Sequence, residues 1–175
     1  HEQVWCSVGV HPLYSDKGPH DWNVLRQHAK DPKCVAFGEL GLDNHYDKPP
    51  KPIQHSVLAE QLATIESCWD DGLELPIVIH CRKAFEDLIP ILKSSKLDAD
   101  RFVFHCFTGN PDEARMVLDF GASISFTGVV TYSNAKEVAQ AAMLVPSNRI
   151  MVETDAPFLS PDPMRGKRPC LPGYA

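Results

Sequence analysis

The 175-residue sequence contains no apolar run approaching the roughly 18 residues of a bilayer-spanning helix, so no membrane partner is expected. It also lacks any Cys-x-x-Cys pair. Its six cysteines (Cys6, Cys34, Cys68, Cys81, Cys106, Cys170) are widely scattered, which suits reduced thiols of the cytoplasm, or of the nucleus, better than a disulfide framework. Basic residues are in deficit: 17 Lys and Arg against 23 Asp and Glu leave a formal charge of −6. A broad basic face for wrapping nucleic acid is therefore not expected, and a polyanionic substrate would need local cations or metal ions. No low-complexity tract or linker divides the chain. With 43% hydrophobic and 23% charged residues, the composition is that of a globule, read here as one domain over residues 1–175.

What is present is a repeat of short apolar runs, each followed by a longer amphipathic stretch. The runs are Val4-Trp5-Cys6-Ser7-Val8-Gly9, Cys34-Val35-Ala36-Phe37-Gly38, Ile77-Val78-Ile79, Phe102-Val103-Phe104, Ser123-Ile124-Ser125-Phe126 and Arg149-Ile150-Met151-Val152. Most are continuously apolar rather than alternating, which predicts parallel strands covered on both faces. Between them, Ile53 to Asp71 predicts a helix with Ile53, Val57, Leu58, Leu62, Ile65 and Trp69 on one face, Pro52 at its entry and Gly72 past its exit. Asn110 caps a second helix with Met116, Val117 and Phe120 buried and Gly121 closing it. A third opens at Ser133 and runs to about Leu144, and a shorter one spans Asp21 to Ala29. The helix after Arg82 holds Pro90, which predicts a kink or early stop. Lys48-Pro49-Pro50-Lys51-Pro52 reads as a rigid loop, and Ser160 to Ala175 as irregular.

This alternation leads either to an open doubly wound sheet or to a closed barrel. The sequence opens at His1 with a strand almost at once, and its last strand is followed by a loop, so a piece of a longer βα repeat is expected.

In α/β proteins, sites gather at the ends of strands. Four strand ends here bear metal-type ligands: Glu39, His80, His105 and Asp155. Two imidazoles with two carboxylates suit a divalent hydrolytic centre. His11, before Pro12, either lines the same face or closes a turn held by backbone bonds. His45 and Asp47 read as a solvated loop, with Asp43 close enough to order the site; His20, His28 and His55 read as surface residues. Cys81 and Cys106 each follow a histidine, but successive strand residues face opposite ways, so both read as buried thiols. Arg82 and the cluster Arg165-Gly166-Lys167-Arg168 are candidates for phosphate contact.

The segments Gly38-Glu39-Leu40-Gly41-Leu42-Asp43, Ile77-Val78-Ile79-His80-Cys81-Arg82, Phe104-His105-Cys106-Phe107-Thr108-Gly109 and Val152-Glu153-Thr154-Asp155-Ala156-Pro157-Phe158-Leu159 resemble, in order, signature motifs of the TatD family of metal-dependent deoxyribonucleases. Gly9-Val10-His11-Pro12 is similar too. The resemblance implies an α/β fold of the TIM-type (β/α) barrel within the amidohydrolase-like superfamily, here a fragment with about six of eight βα units. It implies that Glu39 bridges two metals, that His80 and His105 hold one, and that Asp155 holds the other and helps activate water. The implied cofactors are one or two divalent ions (Mg2+, Mn2+ or Zn2+), and the implied partner is DNA, bound through Arg82, Arg165 and Lys167. The family's opening His-x-His pair has no counterpart, and Pro169-Cys170-Leu171-Pro172 stands where members commonly have Asn-Glu-Pro. The expected function is cleavage of DNA phosphodiester bonds by metal-activated water; the alternatives are a metal-dependent ester or amide hydrolase and a non-catalytic metal-binding homologue.

Overall fold

In the computed structural model, which describes residues 2–175, the chain forms two compact units, one running to Phe102 and the other Val103–Ala175. His1, noted above for its position, lies outside the described residues. The first unit holds three parallel strands paired in chain order, β1 (Cys6–Val8), β2 (Cys34–Asp43) and β3 (Ile77–Arg82). Helix α1 (Trp22–Ala29) joins β1 to β2, α2 (Lys51–Asp70) joins β2 to β3, and α3 (Phe85–Ser94) follows β3. Asp21 caps α1, its Oδ1 accepting from the Asn23 amide at 2.9 Å.

Strand β2 does not stop at Gly38, as its apolar run suggests, but continues to Asp43. Glycine is the reason. Gly38 and Gly41 have φ near +142° and +144°, and a Cβ on Gly41 would stand 1.9 Å from the His80 carbonyl oxygen. The β2–β3 register shifts between Phe37 and Leu40 and resumes with Leu40 opposite Ile79 and Gly41 opposite His80. Glu39 therefore sits at an irregularity inside a strand, and His80 lies within β3, neither one after a strand end.

Helix α2 begins at Lys51, inside the expected rigid loop, and its buried face differs from the predicted one. Val57, Leu58, Leu62 and Ile65 point inward, each worth about 1.5–3 kcal/mol when fully buried, but Ile53 is exposed and Gln54 and Gln61 are buried in its stead. Pro90 neither breaks nor ends α3: it lies with Glu86 on the exposed face, so the bond its missing N–H forfeits is on the water side.

The second unit repeats the pattern with β4 (Phe102–Phe104), β5 (Ser123–Phe126) and β6 (Ile150–Val152), all parallel, and helices α4 (Pro111–Phe120) and α5 (Lys136–Ala142). Asn110 forms a reciprocal capping box with Glu113, and Gly121 ends α4 at φ +110°. Helix α5 is shorter than predicted because Gly128–Thr131 forms a 3-10 turn and the helix starts only at Lys136; Ser133 does not cap it. β5 is buried throughout, whereas β1 and β6 are largely exposed, Met151 at 47% and Val152 at 74%. An apolar run reports that a strand can be covered on both faces; the neighbours decide whether it is. The segment from Ser160 is irregular but anchored: Tyr132 Oη donates to the Ser160 carbonyl at 2.8 Å, and Ser160 Oγ donates to the Lys167 carbonyl at 2.8 Å.

Candidate metal centre

Three metal-type side chains of the first unit meet: His11 just past β1, Glu39 in β2 and His80 in β3, with one donor atom of each within 4.8 Å of the others. Glu39 Oε2 lies 3.5 Å from His80 Nδ1 and 3.6 Å from His11 Nε2, and the two imidazole nitrogens are 3.1 Å apart. Two ring nitrogens and a carboxylate oxygen are a donor set that fits a divalent cation. Sequence reasoning left His11 undecided between turn and site; it lies beside Glu39 and His80, and its Nδ1 also accepts from the Leu13 amide at 3.1 Å as the N-cap of the 3-10 turn Pro12–Lys17.

Hydrogen bonds orient both rings. A backbone amide only donates, so His11 Nδ1 carries a lone pair and Nε2 the hydrogen. At the other end, His80 Nε2 lies 3.1 Å from Oδ2 of Asp43, a carboxylate 1% exposed. An ionised carboxylate only accepts, so His80 carries a hydrogen on Nε2, and its Nδ1 is the nitrogen that faces Glu39 and His11. Contacts therefore link Leu13, His11, His80 and Asp43 in series.

Helix α2 holds both ends of this chain. Gln54 grips Asp43, its Oε1 accepting from the Asp43 amide at 2.9 Å and its Nε2 donating to the Asp43 carbonyl at 3.0 Å. Gln61 grips Val10, the residue two before Pro12, in the same way. Sequence reasoning missed both glutamines; the signal available was two amide side chains about two helical turns apart on an otherwise apolar face.

In the second unit, His105 follows β4, and its Nδ1 lies 3.7 Å from Glu153 Oε2. Glu153 was also missed, though it stands two residues before Asp155. Burial pushes its carboxyl up, but hydrogen bonds from His105, the Cys106 amide and Ser125 outweigh that and hold it below the usual range. Asp155 lies in the turn after β6, where its carbonyl accepts from the Phe158 amide at 2.7 Å. Cys81 is buried, as expected of a β3 residue facing away from His80; Cys106 is only half-buried, because its φ of +45° turns it out of the extended conformation.

The basic candidates have aromatic neighbours. The Arg82 guanidinium lies 5.3 Å from the Tyr46 ring centroid, and that of Arg165 lies 4.0 Å from the Tyr132 ring centroid. Lys167 Nζ is 3.2 Å from Met164 Sδ. His45 is outside the cluster, its amide donating to Asp43 Oδ1 at 2.8 Å; Asp47 lines a cavity of about 520 Å³ with Leu13, Tyr46 and Lys48. His20 and His55, read as surface residues, are half-buried.

Comparison with known proteins gives concordant matches. The family described as TatD related DNase matches residues 1–175. The uncharacterized metal-dependent hydrolase YabD of Bacillus subtilis (strain 168) is 39% identical over 166 residues, covering 94% of this chain and 63% of YabD. The 3'-5' ssDNA/RNA exonuclease TatD of Rahnella sp. (strain Y9602) is 37% identical over 169 residues, covering 93% of this chain and 61% of its own. The crystal structure of YJJV, a TatD homologue from Escherichia coli K12, superposes with a TM-score of 0.85 at 28% identity, over 98% of this chain and 65% of that one. The chain spans about 60% of the length of these curated relatives. Its fold is α/β of the TIM-type barrel class, of which it carries six strands.

Proposed function

The chain belongs to the TatD-related DNase family, and from that premise we propose that it is the metal-dependent hydrolase part of an enzyme that cleaves phosphodiester bonds of nucleic acid, with DNA as the first substrate. The observation that carries this reading is the meeting of His11, Glu39 and His80, with one donor atom of each within 4.8 Å of the others and the His80 ring held on its far nitrogen by the buried Asp43.

The proposed ligands of one or two divalent ions (Mg2+, Mn2+ or Zn2+) are Glu39, His80, His105 and Asp155, with Glu39 as the bridging carboxylate. Geometry supports Glu39 and His80, and family membership supports all four. Such an ion supplies Lewis acidity toward a phosphoryl oxygen and acidifies water. The residues do the rest. Asp155 would take the proton of the attacking water as its oxygen bonds to phosphorus, and the bond to the leaving oxygen would break with that proton passed on to the leaving oxygen. Glu153 holds the His105 ring, and Arg82, Arg165 and Lys167 contact backbone phosphates. Among the described residues no helix is long and apolar enough to cross a membrane. Six free cysteines support a reducing compartment, the cytoplasm or nucleus.

The test is digestion of end-labelled single-stranded DNA and of RNA of the same sequence by the full-length protein with Mg2+ or Mn2+. Progressive shortening, abolished by a chelator and by Glu39→Gln, is expected. A protein that leaves every phosphodiester intact but hydrolyses a carboxylic ester or amide overturns the nuclease reading in favour of that chemistry.

A further inference from the structure

We propose that the cavity beside the metal cluster is a base-binding subsite, in which Tyr46 stacks the nucleobase of the nucleotide next to the phosphate held at the cluster; the assignment rests on the phosphodiester reading above.

The cavity, of about 520 Å³, is lined by Leu13, Tyr46, Asp47 and Lys48. Its walls come from two segments, the 3-10 turn after β1 and the loop between β2 and α2. Each is tied to the cluster through a single residue. The Leu13 amide donates to His11 Nδ1 at 3.1 Å, and Nε2 of the same ring faces Glu39 and His80. Asp43 Oδ1 accepts from the His45 amide at 2.8 Å, and its Oδ2 lies 3.1 Å from His80 Nε2. One imidazole therefore separates the cluster from the Leu13 wall, and one carboxylate links it to the loop that carries Tyr46.

Helix α2 holds both walls. Gln54 Nε2 donates to the carbonyls of Asp43 and Pro49, at 3.0 and 2.9 Å, and so pins the two ends of the Tyr46 loop. Gln61 pins Val10 ahead of the Leu13 turn. The Tyr46 ring is braced as well. Arg82, on the same face of β3 as His80, donates to Tyr46 Oη at 3.4 Å with its guanidinium 5.3 Å from the ring centroid, and the His45 ring meets it edge-on at 4.7 Å. Even so, Tyr46 is 50% exposed. An aromatic side chain that is anchored yet open to solvent suits a flat partner, because stacking on it orders little that is not ordered already.

The lining selects the partner. Tyr46 and Leu13 offer apolar surface that a bare phosphate or metal ion does not use. Lys48 on the wall and Arg82 against Tyr46 bring positive charge that a neutral apolar ligand does not need. A planar ring joined to phosphate uses both, and Asp47, which repels phosphate, is an acceptor for the N–H groups of a base edge. The volume lies within the range of about 300–1,000 Å³ typical of small-ligand sites.

The test is fluorescence anisotropy on the full-length protein with Ca2+ in place of Mg2+. The probes are labelled single-stranded DNA pentamers, one intact and the others each lacking one base. Tyr46→Ala is expected to bind the intact pentamer about tenfold more weakly, and loss of the base at one position to cost the unaltered protein a similar factor. Combined, the two changes should cost little more than either alone, because each removes the same stacked pair. Tyr46→Trp should keep the affinity, and its added indole emission should be quenched by the intact pentamer but not by the one lacking that base. Lys48→Ala should weaken binding of every pentamer alike and reduce its salt dependence. Unchanged affinity in Tyr46→Ala, or losses that multiply independently at every position, overturn the proposal and leave the cavity with backbone contacts only. Should Tyr46→Ala fail to fold, the tryptophan variant decides, and emission insensitive to which base is missing overturns the subsite. Failure of the unaltered protein to bind any pentamer overturns the nucleic-acid reading itself, whereas binding with no base-sensitive position overturns this subsite alone.

Discussion

The Gln61 side chain pairs with the Val10 peptide as a neighbouring strand would, Oε1 accepting from the Val10 amide at 2.7 Å and Nε2 donating to its carbonyl at 3.0 Å. Strand β1 ends at Val8, so these two backbone groups have outrun its ladder. A helix side chain completes it, and in doing so sets where His11 stands.

Replacing that amide removes both bonds together. Gln61→Leu is expected to cost about 1–3 kcal/mol in urea unfolding, the range for leaving partly buried polar groups unmet. A loss below about 0.5 kcal/mol would show that water serves Val10 equally well.

Asp43→Asn tests the tautomer of His80. The asparagine amide can donate to Nε2, which moves the imidazole hydrogen to Nδ1 and turns the metal-facing lone pair into an N–H. Divalent-ion affinity should fall about 10- to 100-fold with little change in thermal midpoint. Unaltered affinity would mean that Asp43 only anchors the loop.

Among the proposed ligands, Glu39→Gln should reduce nuclease activity more than His80→Ala or His105→Ala, since a bridging carboxylate serves two ions and each imidazole one. Steady-state rates at saturating Mg2+ measure this, and an equal or smaller loss for Glu39→Gln removes it from the bridging position.

Gly41→Ala should unfold the first unit or destabilise it by about 3–5 kcal/mol, because the new Cβ meets the His80 carbonyl at 1.9 Å and the backbone at φ +144° admits only glycine comfortably. Circular dichroism against temperature reads the result, and a variant as stable as the unaltered protein would show that β2 and β3 can part locally without cost.

Asp87 offers a pH test away from the centre. The Asn44 side-chain bond, with Lys51 assisting, holds its carboxyl below the usual range. A depressed folded value stabilises the protein above the unfolded carboxylate pKa of about 3.9, and that contribution is lost as pH falls through the folded value. Asn44→Ala should raise the Asp87 midpoint in a carboxyl NMR titration and weaken the dependence of stability on pH in the acid range; an unmoved midpoint would assign the shift elsewhere.

The sequence by itself determined what acts over a few residues. The βα alternation, the Asn110 and Gly121 ends of α4, the short helix near Asp21 to Ala29 and the presence of metal-type side chains at Glu39, His80, His105 and Asp155 are all readable there, because periodicity and caps are local. Tertiary structure decided the rest. Gly38 and Gly41 look like a strand's end until β3 lies against them, and only then carry β2 on to Asp43. Ile53 and Gln54 are adjacent, and the side of α2 that met the strands took the glutamine, whose amide bonds both the N–H and the carbonyl of Asp43. His11 was open between turn and site until Gln61, far along the chain on α2, held the Val10 peptide just before it, and until Glu39 and His80 on two other strands came to lie beside it. Hydrogen-bond direction depends on which donor meets which acceptor, and for groups this far apart along the chain only packing makes that pairing.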